Sequence, residues 1–295
     1  MWKKLTLLTC SIITALLLGG GQNTPADNAE MKEQFVHAYS FYQEGQYQKA
    51  FAALEKFLKM YPNSEFADEA TFLQGESLFA QNQLAAAAEK YEYLIRTYKD
   101  DRLFDDAYFR IGDTYYHLGE YKKARSAFEK LITDYPKSRW RVDGYYWLAE
   151  TLYSLKDYAA SISAYQKVIQ LDANYQYADF AYYSMAYALF ELGKYNEALS
   201  QLERLLKDYP NSVLIGYAHL KAKAYYRMGE SQYQMGNYQA AITSFQQVTG
   251  KPFAGQEESE LAYAHFWTGE SLYHLKQFAP AIEALKKSLA HQPPQ

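Results

Sequence analysis

A short motif returns along this chain at a nearly constant interval: a small residue, an acid, Ser or Thr, then two large side chains. It reads Gly75-Glu76-Ser77-Leu78-Phe79, Gly112-Asp113-Thr114-Tyr115-Tyr116 and Ala149-Glu150-Thr151-Leu152-Tyr153, copies spaced by 37 residues. Later copies are Gly229-Glu230-Ser231-Gln232-Tyr233 and Gly269-Glu270-Ser271-Leu272-Tyr273. One unit of this size cannot bury its own apolar face, so repeats must stack and share a continuous core. The motif therefore predicts an elongated array with a long surface for other molecules, and argues against a closed catalytic pocket.

The spacing inside each unit predicts two helices and a tight turn. The turn reads Gly45-Gln46-Tyr47, Gly119-Glu120-Tyr121, Gly193-Lys194-Tyr195 and Gly236-Asn237-Tyr238, with Ala50, Ala124, Ala198 and Ala241 five residues after each glycine. Glycine accepts the positive φ that ends a helix, and alanine lets two helices approach closely. Apolar residues then recur at i, i+4 and i+7, as in Ala124, Phe128 and Leu131, the signature of one buried helical face. Tyr61-Pro62, Tyr135-Pro136 and Tyr209-Pro210 predict helix ends, because proline cannot continue a helix. Ser64, Ser138 and Ser212 follow as expected N-caps or turn formers.

These small, aromatic, alanine and proline positions resemble the tetratricopeptide repeat over about residues 32–291. The resemblance implies an all-α, right-handed superhelical solenoid of seven helix-turn-helix repeats. The 37-residue period and the Tyr-Pro-x-Ser connection resemble the repeats of bacterial envelope proteins such as BamD and CpoB. The likeness is to their repeat type alone, since the chain has no lipobox ending its apolar leader and no heptad segment before the repeats. Regularity loosens after Asn211 and again behind Gly250-Lys251-Pro252, so a change of curvature is expected between repeats 1–5 (about 32–212) and repeats 6–7 (about 213–291).

The N-terminus reads as an export signal. Lys3 and Lys4 precede an apolar run from Leu5 to Leu18, and Gly19, Gly20 and Gly21 offer small residues for cleavage before Gln22. The run is short for a membrane span, which needs roughly 20 apolar residues; an uncleaved anchor is the alternative. The expected organisation is a signal segment over 1–21, a linker over 22–31, the array over 32–291 and a tail over 292–295. Cys10 is the chain's one cysteine, so a cleaved chain has no thiol for a disulfide, a metal site or a nucleophile. Cleavage also moves the formal net charge from −4 to −6 by removing two lysines, which argues against nucleic acid and anionic membrane surfaces as partners. A periplasmic location follows, with membrane association only through partners or an uncleaved anchor.

The resemblance also implies that the first helix of each repeat lines the concave side, with its second, fifth, ninth and twelfth positions pointing inward. The fifth positions are Phe35, Phe72, Phe109, Tyr146, Tyr183, Tyr226 and Phe266, and the twelfth are Tyr42, Phe79, Tyr116, Tyr153, Phe190, Tyr233 and Tyr273. Repeats two to four add acids at the second position, Glu69, Asp106 and Asp143, and at the ninth, Glu76, Asp113 and Glu150. The expected binding groove is therefore Glu69, Phe72, Glu76, Phe79, Asp106, Phe109, Asp113, Tyr116, Asp143, Tyr146, Glu150 and Tyr153. Rings supply apolar area, and carboxylates select Lys or Arg. The alternative for the same residues is packing between adjacent helices.

The expected partner is thus a protein or peptide of the cell envelope carrying basic and apolar residues, held for outer-membrane assembly or division. The rival is a glycan of an exopolysaccharide export system, since tyrosines also stack on sugars. The acids would repel the C-terminal carboxylates that many tetratricopeptide co-chaperones clamp. No Walker loop, HExxH, Gly-x-Ser-x-Gly elbow or dinucleotide fingerprint occurs, so no catalytic residue and no cofactor is expected. Asp113 with His117 and Glu270 with His274 are i, i+4 pairs that commonly arise on helix surfaces, and no metal role is assigned to them.

Overall fold

The computed structural model describes residues 25–99, 102–209, 217–250 and 258–291. The signal segment 1–21, the first part of the linker, the tail from 292 and the stretches around Asn211 and Pro252 lie outside them. The expected change of curvature behind Asn211 falls there as well.

Fourteen helices and no strands occur among the described residues. They are α1 Pro25–Gln43, α2 Tyr47–Met60, α3 Ala67–Ala80, α4 Leu84–Thr97, α5 Phe104–His117, α6 Tyr121–Asp134 and α7 Arg141–Ser154. The later seven are α8 Tyr158–Leu171, α9 Ala178–Glu191, α10 Tyr195–Asp208, α11 Tyr217–Gln234, α12 Tyr238–Thr249, α13 Glu258–His274 and α14 Phe278–Ala290. Successive helices form seven antiparallel hairpins, the all-α arrangement of a helical-repeat solenoid.

The chain divides into two compact units, Met1–Leu103 and Phe104–Gln295. In the first, α1 packs on α2, α2 on α3 and α3 on α4. In the second, every helix from α5 to α14 packs on its sequence neighbour, and first helices also touch each other, as α5 with α7, α9 with α11 and α11 with α13.

Turn chemistry explains the hairpins. The second residue after each first helix has positive φ in all seven repeats: Gly45, Gly119, Gly193 and Gly236 near +70°, and Asn82, Lys156 and Lys276 near +60°. At Gly119 the backbone N–H donates to the Tyr116 carbonyl over 3.0 Å, and the next N–H, Glu120, donates to Tyr115 over 2.9 Å. That pair of bonds is a Schellman motif, which satisfies the last carbonyls of a helix. The three repeats without glycine make the same bonds; Lys156 donates to Tyr153 over 2.8 Å and Asp157 to Leu152 over 2.9 Å.

The core lies along the second helices. Ala50, Leu54 and Phe57, then Ala124, Phe128 and Leu131, then Ala198, Leu202 and Leu205 are all buried, on the face the i, i+4, i+7 spacing marks. Full burial of each large side chain contributes about 1.5–3 kcal/mol. The motif's small residue seats the ring of the facing helix: a Cβ on Gly75, Gly112 or Gly229 would fall 2.5–2.6 Å from the ring of Tyr91, Phe128 or Phe245.

Second helices end at Met60, Asp134 and Asp208, as the Tyr-Pro pairs predict, with the tyrosine as C-cap. Of the two roles expected for the serines, the N-cap is not taken at α3 and α7. Phe66 and Trp140 occupy the N-cap positions of α3 and α7 without side-chain caps. Ser138 is a turn former, its hydroxyl accepting from the Trp140 N–H over 3.0 Å. Ser212 lies outside the described residues.

Candidate functional site

The acids expected on a groove floor are inside the stack. Glu76, Asp106, Asp113 and Asp143 are buried and Glu150 is half-buried, and each has a committed partner. The Tyr91 hydroxyl donates to Glu76 Oε1 over 2.5 Å, and the Tyr165 hydroxyl donates to Glu150 Oε1 over 2.5 Å. Asp113 is paired instead with Arg110 at 3.3 Å and His117 at 3.2 Å. The rule behind this is legible once the hairpins are seen. Where the facing helix offers a tyrosine, its phenol satisfies the motif acid; where it offers Phe128 or Phe245, an arginine three residues before the acid does so, as Arg110 for Asp113 and Arg227 for Glu230.

The second-position acids tie each first helix to the connection before the next one. Within the first unit Glu69 faces Arg102 at 3.7 Å. Within the second, Asp106 accepts from Trp140 Nε1 over 2.6 Å and from Arg139, and Asp143 accepts from the Tyr175 hydroxyl over 2.8 Å. Burial pushes the Asp106 and Glu150 carboxyls above their ordinary values, since removing water disfavours the charged form.

The expected groove is corrected accordingly. Phe72, Phe109 and Tyr146 are buried, with Phe109 stacked on Trp140 at 4.3 Å and Tyr146 on Tyr177 at 5.3 Å. With Glu76, Asp106, Asp113 and Asp143 they are engaged in contacts inside the stack, at 8% exposure or less. Glu69, Phe79, Tyr116, Glu150 and Tyr153 keep partial exposure. The histidine pairs are packing groups too: His117 bonds the Asp113 carbonyl, and His274 stacks on Tyr238 at 4.5 Å.

The structure places a concave site on later repeats. Within the second unit, α9, α11, α12 and α13 line a cleft of about 440 Å³, formed by Tyr183, Tyr187, Tyr226, Arg227, Glu230, Val248, Glu260 and Tyr263. The Arg227 guanidinium lies 4.1 Å from the Tyr187 ring centre and 5.6 Å from that of Phe190. It donates to the Tyr187 hydroxyl and pairs with Glu230 at 2.5 Å. Trp267 Nε1 donates to the Tyr226 hydroxyl over 3.2 Å, which fixes that ring against α13. Tyr263 is exposed. Burial raises the Tyr183 phenol to about 12, keeping it a neutral donor. Burial also raises the Glu230 carboxyl, while the Arg227 charge opposes the rise.

Tyr183, Tyr187, Tyr226 and Glu230 stand at inward positions the repeat pattern names. Arg227, Glu260 and Tyr263 were missed; the sequence signal for Arg227 is its place three residues before a motif acid, shared with Arg110.

Four family models described as tetratricopeptide repeat match the chain, at residues 35–102 and 226–295, 106–138, 142–175 and 177–249. The chain is a tetratricopeptide-repeat protein. Among solved structures, these tetratricopeptide repeats are similar to the C-terminal part of a TPR repeat-containing protein from Cytophaga hutchinsonii, at 15% identity and TM-score 0.71, covering 88% of this chain and 96% of that one. A tetratricopeptide repeat protein from Parabacteroides merdae matches at 15% identity and TM-score 0.57, covering 90% and 94%. YrrB, described as a TPR protein with an unusual peptide-binding site, matches at 20% identity and TM-score 0.52, covering 79% and 98%. No curated protein matches. At these identities the likeness concerns the fold. A tetratricopeptide-repeat array of this kind is a scaffold for protein–protein interaction.

Proposed function

We propose that this chain is a non-catalytic adaptor that holds a segment of another protein in the tyrosine-lined cleft of repeats five to seven. The observation that carries the reading is the composition of that cleft. Tyr183, Tyr187, Tyr226 and Tyr263 offer apolar faces and hydroxyl donors, and the lining has one cation, Arg227, against Glu230 and Glu260. Arg227 is paired to Glu230. A segment with a basic residue beside apolar ones suits it: the apolar part covers the tyrosine faces, and the cation stacks on an exposed ring such as Tyr263. The peptide-binding site attributed to YrrB supports a peptide as ligand for this fold.

The basic, apolar and small residues before Gln22 support export to the periplasm, and so a partner in the cell envelope. Outer-membrane assembly and division are the pathways whose proteins carry this repeat type.

The test is photo-crosslinking in cells from Tyr263, with Tyr93, exposed in the first unit, as control. A discrete protein adduct from Tyr263, lost on Tyr187→Ala and absent from Tyr93, supports the reading. Equal adducts from both positions sink it. Salt-insensitive binding of an oligosaccharide, with no protein adduct, would transfer the cleft to glycans.

A further inference from the structure

Of the twelve large apolar side chains that are exposed among the described residues, six belong to the last hairpin, α13 and α14, which marks that hairpin as unlike the others. Earlier repeats show why. In three of them the fifth-position ring is covered by the aromatic residue that caps the next first helix: Phe35 by Phe66 at 4.8 Å, Phe109 by Trp140 at 4.3 Å and Tyr146 by Tyr177 at 5.3 Å. Phe35 and Phe109 are 2% and 1% exposed, whereas Phe266, their counterpart in α13, is 38% exposed. On α14, Phe278, Ile282 and Leu289 are 56%, 54% and 68% exposed, while their counterparts in α2, Tyr47, Phe51 and Leu58, are half-buried. With half-buried Leu285 they follow the spacing 4, 3, 4, one continuous stripe along a helix.

We infer that this face is the contact of a symmetric dimer, in which α14 of one copy packs antiparallel on α14 of a second. The stripe is self-complementary in that arrangement. A two-fold axis between Ile282 and Leu285 sets Phe278 opposite the second copy's Leu289 and Ile282 opposite its Leu285, so every apolar residue meets another.

Head-to-tail stacking of α14 on the first helix of another copy is the competitor. The outer face of α1 carries Glu33, His37 and Ser40 around a single exposed valine, Val36. Covering the stripe with that surface would give apolar area polar neighbours. Lys286 and Lys287 could meet its acids, but exposed ion pairs contribute little, and Lys286 is already 2.9 Å from Glu283. Apolar burial outweighs them, and a self-pairing face closes at two copies without forming a fibre. Five half-exposed side chains of this size, counting Phe266, give on the order of 500 Å² per copy. Roughly 1,000 Å² in total is at the low end for a specific interface, so a weak, concentration-dependent dimer is expected.

The experiment is sedimentation velocity on the full chain between about 1 and about 100 μM, a range that brackets micromolar association. The expected result is a monomer that becomes a dimer and stops at two. Ile282→Glu with Leu289→Glu should remove the dimer while circular dichroism stays unchanged, because both side chains face solvent. Ile282→Gln alone, a milder change, should weaken association at least about tenfold, the equivalent of about 1.4 kcal/mol. A chain that stays monomeric at the top concentration overturns the proposal. A dimer that survives the double substitution also overturns it, as does one lost only when residues 1–24 are removed, or assembly that grows past two.

Discussion

Tyr91 donates its phenol hydrogen to Glu76, fifteen residues earlier, over 2.5 Å. Tyr165 and Glu150 stand in the same relation two repeats on. The second helix of a hairpin thus reaches back to satisfy the acid of the first, and the motif's most polar residue becomes part of the core. Both acids thereby take part in holding their hairpins together.

That relation predicts a coupling energy. Tyr91→Phe keeps the ring over Gly75 and deletes the hydroxyl, leaving a buried carboxylate with one donor fewer. The expected loss is about 1–3 kcal/mol, measured by urea denaturation. A double-mutant cycle with Glu76→Gln should show the two changes to be non-additive. Additive losses would separate the two residues energetically.

Gly112 tests the seat beneath the facing ring. Alanine in a helix interior ordinarily gains about 1 kcal/mol over glycine, but here its Cβ would lie 2.5 Å from Phe128 Cε1. Overpacking costs about 1–3 kcal/mol, so Gly112→Ala should lower the melting temperature. Adding Phe128→Leu should recover part of the loss, because repeats one and five pair Ala38 with Leu54 and Ala186 with Leu202 at the same spacing.

The hairpin turns give the opposite sign. Lys156 is exposed and holds φ at +62°, a region unfavourable for any residue with a Cβ. Lys156→Gly should stabilise the chain by about 0.5–1 kcal/mol after the added freedom of the unfolded chain is subtracted. Gly119→Ala, at +73°, should destabilise it. Equal melting temperatures for the two variants would contradict both.

His117 gives a pH dependence. Its hydrogen bond to Asp113 is the largest cause that lifts the imidazole from 6.5 to about 9, against a lowering by partial burial. The folded state therefore binds the proton more tightly than the unfolded chain. The contribution is complete below pH 6.5 and is lost as pH rises through about 9. It is modest, since the ring is nearly half exposed and water screens the pair. Stability should fall between pH 6.5 and 9, and His117→Gln should flatten that slope, read as the denaturation midpoint across the range.

Period, hairpins, turns and second-helix core were legible in the chain because each rests on neighbours a few residues apart. Gly119 in a left-handed turn, Ala124 under a crossing helix and Tyr135 before a proline are local facts of sterics and hydrogen bonding. The use made of Glu76, Asp113 and Phe109 was not legible, since helical spacing says which residues share a face but not what lies against it. Only the folded arrangement brought Tyr91 onto Glu76 and Trp140 onto Phe109, turning an expected floor of charge into internal hydrogen bonds. The same arrangement set Arg227 over Tyr187, forty residues away, and so opened a cleft where the repeat pattern alone marked no special place. A buried acid requires a donor, and the identity of that donor is decided by contacts between helices.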